Sequence, residues 1–152
     1  MPRIADSPTC GNSGFTLVEL VITMIVVGIL AAVVMPRFAD RTVFESRGFQ
    51  DETISLLHYA QKAAIAQRRY VCVAFTATGA SLSSGASSSC GSPLTGPNGA
   101  TPFAVAARSG TGYDTTPSDF YFDAAGRPSA GQSFTVTGSG SITVEAETGY
   151  VH

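Results

Sequence analysis

A long uncharged run near the N-terminus constrains this chain more than any other feature. Residues 20–35 contain no charged side chain, and extending the run back to Phe15 adds only Glu19. As one α-helix, residues 15–35 would be roughly 31 Å long, which is about the thickness of a bilayer core. Because such a helix is apolar on all sides, it must be buried on all sides. We therefore predict a membrane-spanning or assembly helix over residues 15–36.

Glu19 is the one acidic residue of this run. A charged side chain costs about 2.5–3.5 kcal/mol at the centre of a bilayer, so an acid in a membrane helix is a candidate functional residue. The alternative is an inert carboxylate at the membrane interface, favoured there by the N-terminus of the helix.

The block GFTLVE at residues 14–19 resembles the type III signal of type IV pilins and type II secretion pseudopilins. The resemblance implies that a prepilin peptidase cuts between Gly14 and Phe15 and then methylates the new N-terminal Phe15. It also implies that Glu19 pairs with the N-terminal amine of a neighbouring subunit. Cleavage creates a cation at Phe15, and a buried carboxylate needs such a partner. Residues 1–14 would then be a leader peptide, absent from the mature chain.

The remainder of the apolar run has two positions where a helix would weaken. Gly28 lowers helix stability and Pro36 removes a helical hydrogen bond, so both are candidate kink positions. An ordinary secretory signal is a poorer interpretation of the run. Its cleavage site would follow the apolar residues, and residues 31–33 match the usual small-residue pattern poorly.

Residues 37–69 are predicted to form an amphipathic helix. Apolar residues recur there at intervals of three and four, which places them on one stripe of a helix: Ile54, Leu57, Ala60, Ala64 and Ile65. A bend is expected near residues 46–48, where Gly48 interrupts a charged patch.

The hydrophobic period becomes that of a β-strand at Tyr70. Residues 70–76 alternate so that Val71, Val73 and Phe75 share one face, with Cys72 on the other. The Gly- and Ser-rich segment 79–101 is expected to be irregular. Further strands are predicted at residues 103–107, 119–123, 133–137 and 141–146, with a hairpin turn at residues 138–140. We predict an α+β chain in which a long N-terminal helix packs on a C-terminal antiparallel sheet domain, residues 70–152.

Three cysteines are present, and Cys10 lies in the predicted leader. Cys72 and Cys90 therefore remain in the processed chain. An exported domain meets an oxidising compartment that permits a disulfide, and Cys90 could fold the Gly- and Ser-rich segment over the strand face that carries Cys72. The alternative is two unpaired thiols.

A second resemblance lies in the C-terminal part. The blocks FYFDAAGRP at residues 120–128 and TGYV at residues 148–151 look like those of GspH/FimT-type minor pilins, including minor pilins of the mannose-sensitive haemagglutinin (MSHA) pilus. The resemblance implies a structural subunit of an MSHA-type pilus. A minor subunit of a type II secretion pseudopilus is an alternative that the sequence separates poorly from it.

No set of residues with catalytic spacing occurs in the sequence. His58 and His152 are isolated, and no Ser/His/Asp or Cys/His set has supporting spacing. Asp114, Asp119 and Asp123 lack the spacing of a known calcium loop. We expect a substrate of an enzyme rather than an enzyme, with no metal and no cofactor.

The resemblance also implies partners and a location. The expected partners are prepilin peptidase, other major and minor pilins or pseudopilins, the inner-membrane assembly platform, and inner-membrane lipid before assembly. The chain would cross the inner membrane once, with its C-terminal domain in the periplasm, and then enter a pilus or pseudopilus.

Nucleic acid is not an expected partner, although FimT-like DNA-uptake pilins are a third alternative. The net charge of −2 creates no field that attracts nucleic acid. Those pilins carry a basic C-terminal motif, whereas the final residues here are GYVH. Arg127 is a single charge beside a turn, and phosphate binding usually needs several.

Overall fold

The computed structural model describes residues 15–34, 41–108 and 110–152. The chain divides into two units, Met1–Ala39 and Asp40–His152, and each is described by itself. The described part of the first unit is the α-helix Leu17–Val34 (α1), preceded by residues 15 and 16. The predicted leader, residues 1–14, and the predicted kink residue Pro36 lie outside the described residues.

The second unit begins with the α-helix Arg41–Gln67 (α2). Three members of the predicted apolar stripe are buried, namely Leu57, Ala60 and Ala64, whereas the side chain of Ile65 is 49% exposed. The helix ends as Arg68 adopts a positive φ of 51°. Arg68 and Arg69 then donate backbone hydrogen bonds to the carbonyls of Ile65 and Ala64, which caps the helix in a Schellman motif.

The bend expected near residues 46–48 is wrong, because α2 is an uninterrupted α-helix there. Ser46 and Phe49 are both buried on either side of Gly48, so packing holds the backbone helical through this stretch. A Cβ atom at Gly48 would meet nothing within 4 Å. The glycine therefore faces open space and marks no turn.

A five-stranded antiparallel sheet covers the buried face of α2. Its strands are Tyr70–Thr76 (β1), Gly79–Gly85 (β2), Ser92–Pro93 (β3), Ala104–Ala106 (β4) and Phe120–Phe122 (β5). The order is β3-β2-β1-β5, and β4 also pairs with β2. As predicted, Val71, Val73 and Phe75 of β1 are buried, while Cys72 lies on the other face and is half-buried.

The expectation that residues 79–101 are irregular is wrong for the two strands β2 and β3. β2 pairs with β1 along its full length, from Gly79 opposite Thr76 to Gly85 opposite Tyr70. Its sequence GASLSSG has low β-propensity, yet Ala80, Leu82 and Ser84 are buried against the core. Pairing and burial outweigh the local preference here, because β-propensity depends strongly on context.

A two-stranded antiparallel sheet completes the second unit. It consists of Gln132–Thr135 (β6) and Ser141–Val144 (β7). Thr135 pairs with Ser141, so the predicted hairpin turn at residues 138–140 is confirmed. Gly138 has φ 74°, a value that glycine adopts without strain. Both strands are shorter than predicted, as are β4 and β5.

Two glutamines of α2 tie turns of the sheet domain to the helix. Gln50 accepts a hydrogen bond from the backbone N–H of Gly140 at 3.2 Å. The Gln61 side-chain amide donates to the carbonyls of Gly126 at 3.0 Å and Thr148 at 2.9 Å. Each side chain satisfies backbone groups that a turn leaves without strand partners.

The centre of the domain is an aromatic cluster with ring centroids between 5.0 and 6.2 Å apart, formed by Phe49, Phe75, Tyr113, Phe120 and Phe134. Thr53 donates its hydroxyl hydrogen to the Phe49 carbonyl at 2.8 Å. The Tyr113 hydroxyl therefore donates to the Thr53 Oγ1 atom, 3.2 Å away. Burial raises the pKa of the Tyr113 hydroxyl above its ordinary value.

Candidate functional site

The first described residues form a short non-helical segment in front of α1. Phe15 is 80% exposed, and neither Phe15 nor Thr16 is helical. Thr16 is the N-cap of α1, because its Oγ1 atom accepts a hydrogen bond from the backbone N–H of Glu19 at 3.3 Å. Its carbonyl accepts the first helical bond, from Leu20 at 3.2 Å. The helix thus begins two residues after Phe15.

Glu19 occupies the first turn of α1 and is exposed. The spacing of Thr16 and Glu19 is that of a capping box, in which an acid three residues after the cap favours the helix start. A carboxylate at this end of a helix is also stabilised by the helix dipole. The structure therefore supplies a local reason for Glu19, and its predicted pairing with a neighbouring amine stays a prediction.

The surface of α1 is apolar and exposed. All side chains described in this unit, residues 15–32, are exposed, including Leu17 at 79% and Met24 at 67%. Contiguous exposed apolar surface of this kind marks a site of interaction with protein or membrane. Among the residues that the structure describes, no helix is both long enough and apolar enough to traverse a membrane.

Thr23 is the second polar side chain of α1. Its hydroxyl donates a hydrogen bond to the Leu20 carbonyl of the preceding turn, at 2.9 Å. Gly28 lies within the continuous helix, and a Cβ atom there would meet nothing within 4 Å. The predicted kink at Gly28 stays a prediction. The predicted kink at Pro36 and the predicted cleavage after Gly14 also stay predictions, because those two residues lie outside the described residues.

Cys72 and Cys90 form a disulfide, as predicted, with an Sγ–Sγ distance of 2.08 Å and Cα atoms 6.1 Å apart. Cys72 lies on the face of β1 that points away from α2. Cys90 belongs to the loop between β2 and β3. The bond therefore fastens this loop over the outer face of the central strand.

The described titratable residues of the sheet domain lie in separate turns and strand ends rather than in one cluster. Asp123 accepts backbone hydrogen bonds from Ala125 and Arg127 within its own turn, and its carboxylate lies 3.6 Å from the Arg127 guanidinium. Asp119 accepts a backbone hydrogen bond from Phe75 at 2.7 Å. In the described ranges, no three His, Cys, Asp or Glu side chains are grouped to hold a metal ion.

Thr16 and Thr23 were not predicted as parts of the site. The spacing Thr-x-x-Glu at residues 16–19 is a readable capping signal, so Thr16 could have been found. Thr23 is a lone hydroxyl in an apolar run, and its back-bond to the helix could have been anticipated from its residue type. With Glu19, these residues make one polar stripe on α1.

Comparison with known proteins adds to this geometry. A family model described as the prokaryotic N-terminal methylation motif matches residues 10–35. The chain is 38% identical over 56 residues to the type IV narrow pilus major component PilA5 of Thermus thermophilus, a match that covers 37% of this chain and 48% of that protein. It thus spans about half the length of this curated relative.

No solved structure matches the chain. The matched residues contain Phe15, Thr16 and Glu19, which the structure places at the start of the exposed apolar helix. The sheet domain has the α+β arrangement expected from the sequence. The chain is therefore a type IV pilin-like protein that carries an N-terminal methylation motif.

Proposed function

We propose that this chain is a minor pilin, a structural subunit of a type IV pilus that a prepilin peptidase processes and N-methylates. One observation carries the proposal. The N-terminal methylation motif, residues 10–35, contains α1, a helix whose described apolar side chains are exposed and which holds a single acid, Glu19. Such a helix is an element for association, because a surface helix of a self-sufficient domain is apolar on only one face.

Processing would cut the chain between Gly14 and Phe15 and leave a methylated amine on Phe15. The position of the helix supports this step. Thr16 caps α1, so Phe15 precedes the helix and is exposed to an enzyme. A peptide bond within a helix would first have to unfold before a peptidase could bind it in an extended form.

Assembly would then bury the apolar surface of α1. Before assembly its partner is inner-membrane lipid, and afterwards its partners are the corresponding helices of other pilins, gathered by the inner-membrane assembly platform. Glu19 would pair with the N-terminal amine of a neighbouring subunit. An unpaired carboxylate among apolar helices costs several kcal/mol, so pairing favours a defined register between subunits.

Within this role we assign the chain to the GspH/FimT-type minor pilins, nearest in pattern to the MSHA minor pilin MshC. The blocks at residues 120–128 and 148–151 support this assignment, and the structure brings both to Gln61 through the Gly126 and Thr148 carbonyls. PilA5 is named as a major component, so the abundance of this chain in filaments distinguishes a minor subunit from a major one. Quantitative mass spectrometry of purified filaments should find this chain at a small fraction of the main subunit, and equal amounts would contradict the assignment.

Substitution of Glu19 by Val tests the pilus-subunit role. We expect Glu19→Val to be cleaved and to remain in the membrane fraction, yet to enter filaments more than about tenfold less than the parent, since removing one partner of a buried pair strands the other. Leu17→Val, which changes only apolar volume, is the matched control and should assemble normally. Incorporation of Glu19→Val at the parental level would contradict the proposal.

A further inference from the structure

The polar groups of α1 lie on one side of the helix. Glu19 and Thr23 are the only polar side chains in its sequence from Leu17 to Val34. They are four residues apart, so they are neighbours on the helix surface, with Cβ atoms about 5–6 Å apart. Thr16, three residues before Glu19, extends the same stripe to the end of the helix.

The hydrogen bond of Thr23 determines what this side chain can offer to another molecule. A threonine hydroxyl has one donor hydrogen and two acceptor lone pairs. The hydrogen of Thr23 is donated to the Leu20 carbonyl at 2.9 Å, so toward an outside group Thr23 is an acceptor. The ionised carboxylate of Glu19 is also an acceptor only. The pair therefore presents acceptors one helical turn apart and no donor.

The group that matches such a pair is a cation with two N–H donors. An α-amino group that carries one methyl group and is protonated has two N–H bonds, whereas the unmethylated ammonium has three. We propose that Glu19 and Thr23 together bind the N-methylated α-ammonium of a neighbouring pilin subunit, one N–H bonding to the Glu19 carboxylate and the other to Thr23 Oγ1. This inference rests on the proposed function, in which Glu19 pairs with that amine.

The energetics favour a second acceptor. In an apolar helix bundle an N–H group without a partner costs free energy, because no water replaces the bond. The N-terminal end of α1 also carries a partial positive charge that repels a cation. Thr23 lies one turn farther from that end than Glu19. It therefore draws the amine away from the repulsive end and leaves neither of its N–H groups unpaired.

The test compares Thr23→Val with Thr23→Ser in the full chain, co-expressed with its prepilin peptidase and the filament machinery. Valine keeps the β-branched shape and removes the acceptor, whereas serine keeps the acceptor. We expect Thr23→Val to lower the ratio of filament to membrane chain by about tenfold or more, the size of one hydrogen bond to a charged group, and Thr23→Ser to stay near the parent. Intact mass should show all three chains cleaved and methylated.

A double variant separates this contact from general helix packing. If Glu19 and Thr23 bind one amine, Thr23→Val added to Glu19→Val should lower incorporation by less than it does alone, because contacting residues are not additive. Parental incorporation of Thr23→Val, beside failure of Glu19→Val, would overturn the role of Thr23 and leave the proposed function intact. Equal losses in the Val and Ser variants would also overturn it. Parental assembly of Glu19→Val would instead refute the proposed function itself.

Discussion

The two units of this chain treat their apolar side chains in opposite ways. In the domain formed by α2 and the sheets, Leu56, Leu57 and Phe122 are fully buried. In α1, leucine side chains are exposed instead, as Leu17 shows at 79%. The domain therefore buries these side chains in its own core, whereas the apolar surface of α1 is available for contact with another molecule. The difference indicates that substitutions in the two units should affect different measurements.

The largest expected effect is a loss of domain stability after truncation of a central side chain. Phe122→Ala removes a ring that is 0% exposed, and such truncations lower the free energy of unfolding by about 3–5 kcal/mol. Val26→Ala in α1, where the side chain is exposed, is the matched control and should leave that free energy unchanged. Urea unfolding of the detergent-solubilised chain, followed by near-UV circular dichroism, measures both. Equal losses would show that α1 is part of the domain core.

The next effect concerns the disulfide between Cys72 and Cys90. Replacing both residues by Ser should lower the free energy of unfolding of the domain by about 3 kcal/mol, because the bond closes a loop in the unfolded chain. Cleavage of the leader and entry of α1 into the membrane fraction should not change. Thiol counting on the denatured, unreduced mature chain should find none, since the proposed cleavage removes Cys10 with the leader. Two free thiols in the mature chain would contradict the bond.

The smallest effect is a pH dependence that arises from Tyr113. Burial raises the pKa of the Tyr113 hydroxyl in the folded state. The contribution of this hydroxyl to the free energy of unfolding is therefore complete below the unfolded pKa of about 10, and it is lost as pH rises through the folded pKa. Tyr113→Phe should cost about 1 kcal/mol at neutral pH, the worth of its bond to Thr53. In urea titrations, the difference in the free energy of unfolding between the parent and Tyr113→Phe should shrink above a pH of about 10. A difference in the free energy of unfolding that grows with pH would contradict the raised pKa of Tyr113.

Much of the sheet domain could be predicted because its signals are local. β1 alternates strictly, and Gly138 occupies a turn between two strands that pair directly. β2 could not be predicted, because apart from Leu82 its sequence of Gly, Ala and Ser has little strand preference. Pairing with β1, β3 and β4, together with burial against the core, holds it as a strand. The bend predicted near Gly48 is wrong for the converse reason, since burial of Phe49 and Ser46 keeps α2 helical across this glycine.

The charged residue of the candidate site was predicted from the sequence, whereas its hydrogen-bonding residues were not. Glu19 is evident as the one acid in an apolar run. Thr23 is less evident, because its residue type predicts a back-bond to the helix but not that the Leu20 carbonyl is the acceptor, which the structure shows. The residues Gln50 and Gln61 were likewise missed, since the turns that they bind are distant in sequence.

The central claim is that α1 begins a processed chain whose N-terminus takes part in assembly. The most direct measurement is the intact mass and N-terminal sequence of this chain recovered from purified filaments, with Gly14→Val as the control whose leader should be retained. We predict a single species that begins at Phe15 and carries one added methyl group. A chain in filaments that still contains residues 1–14, or one that begins after the apolar run, would contradict the account.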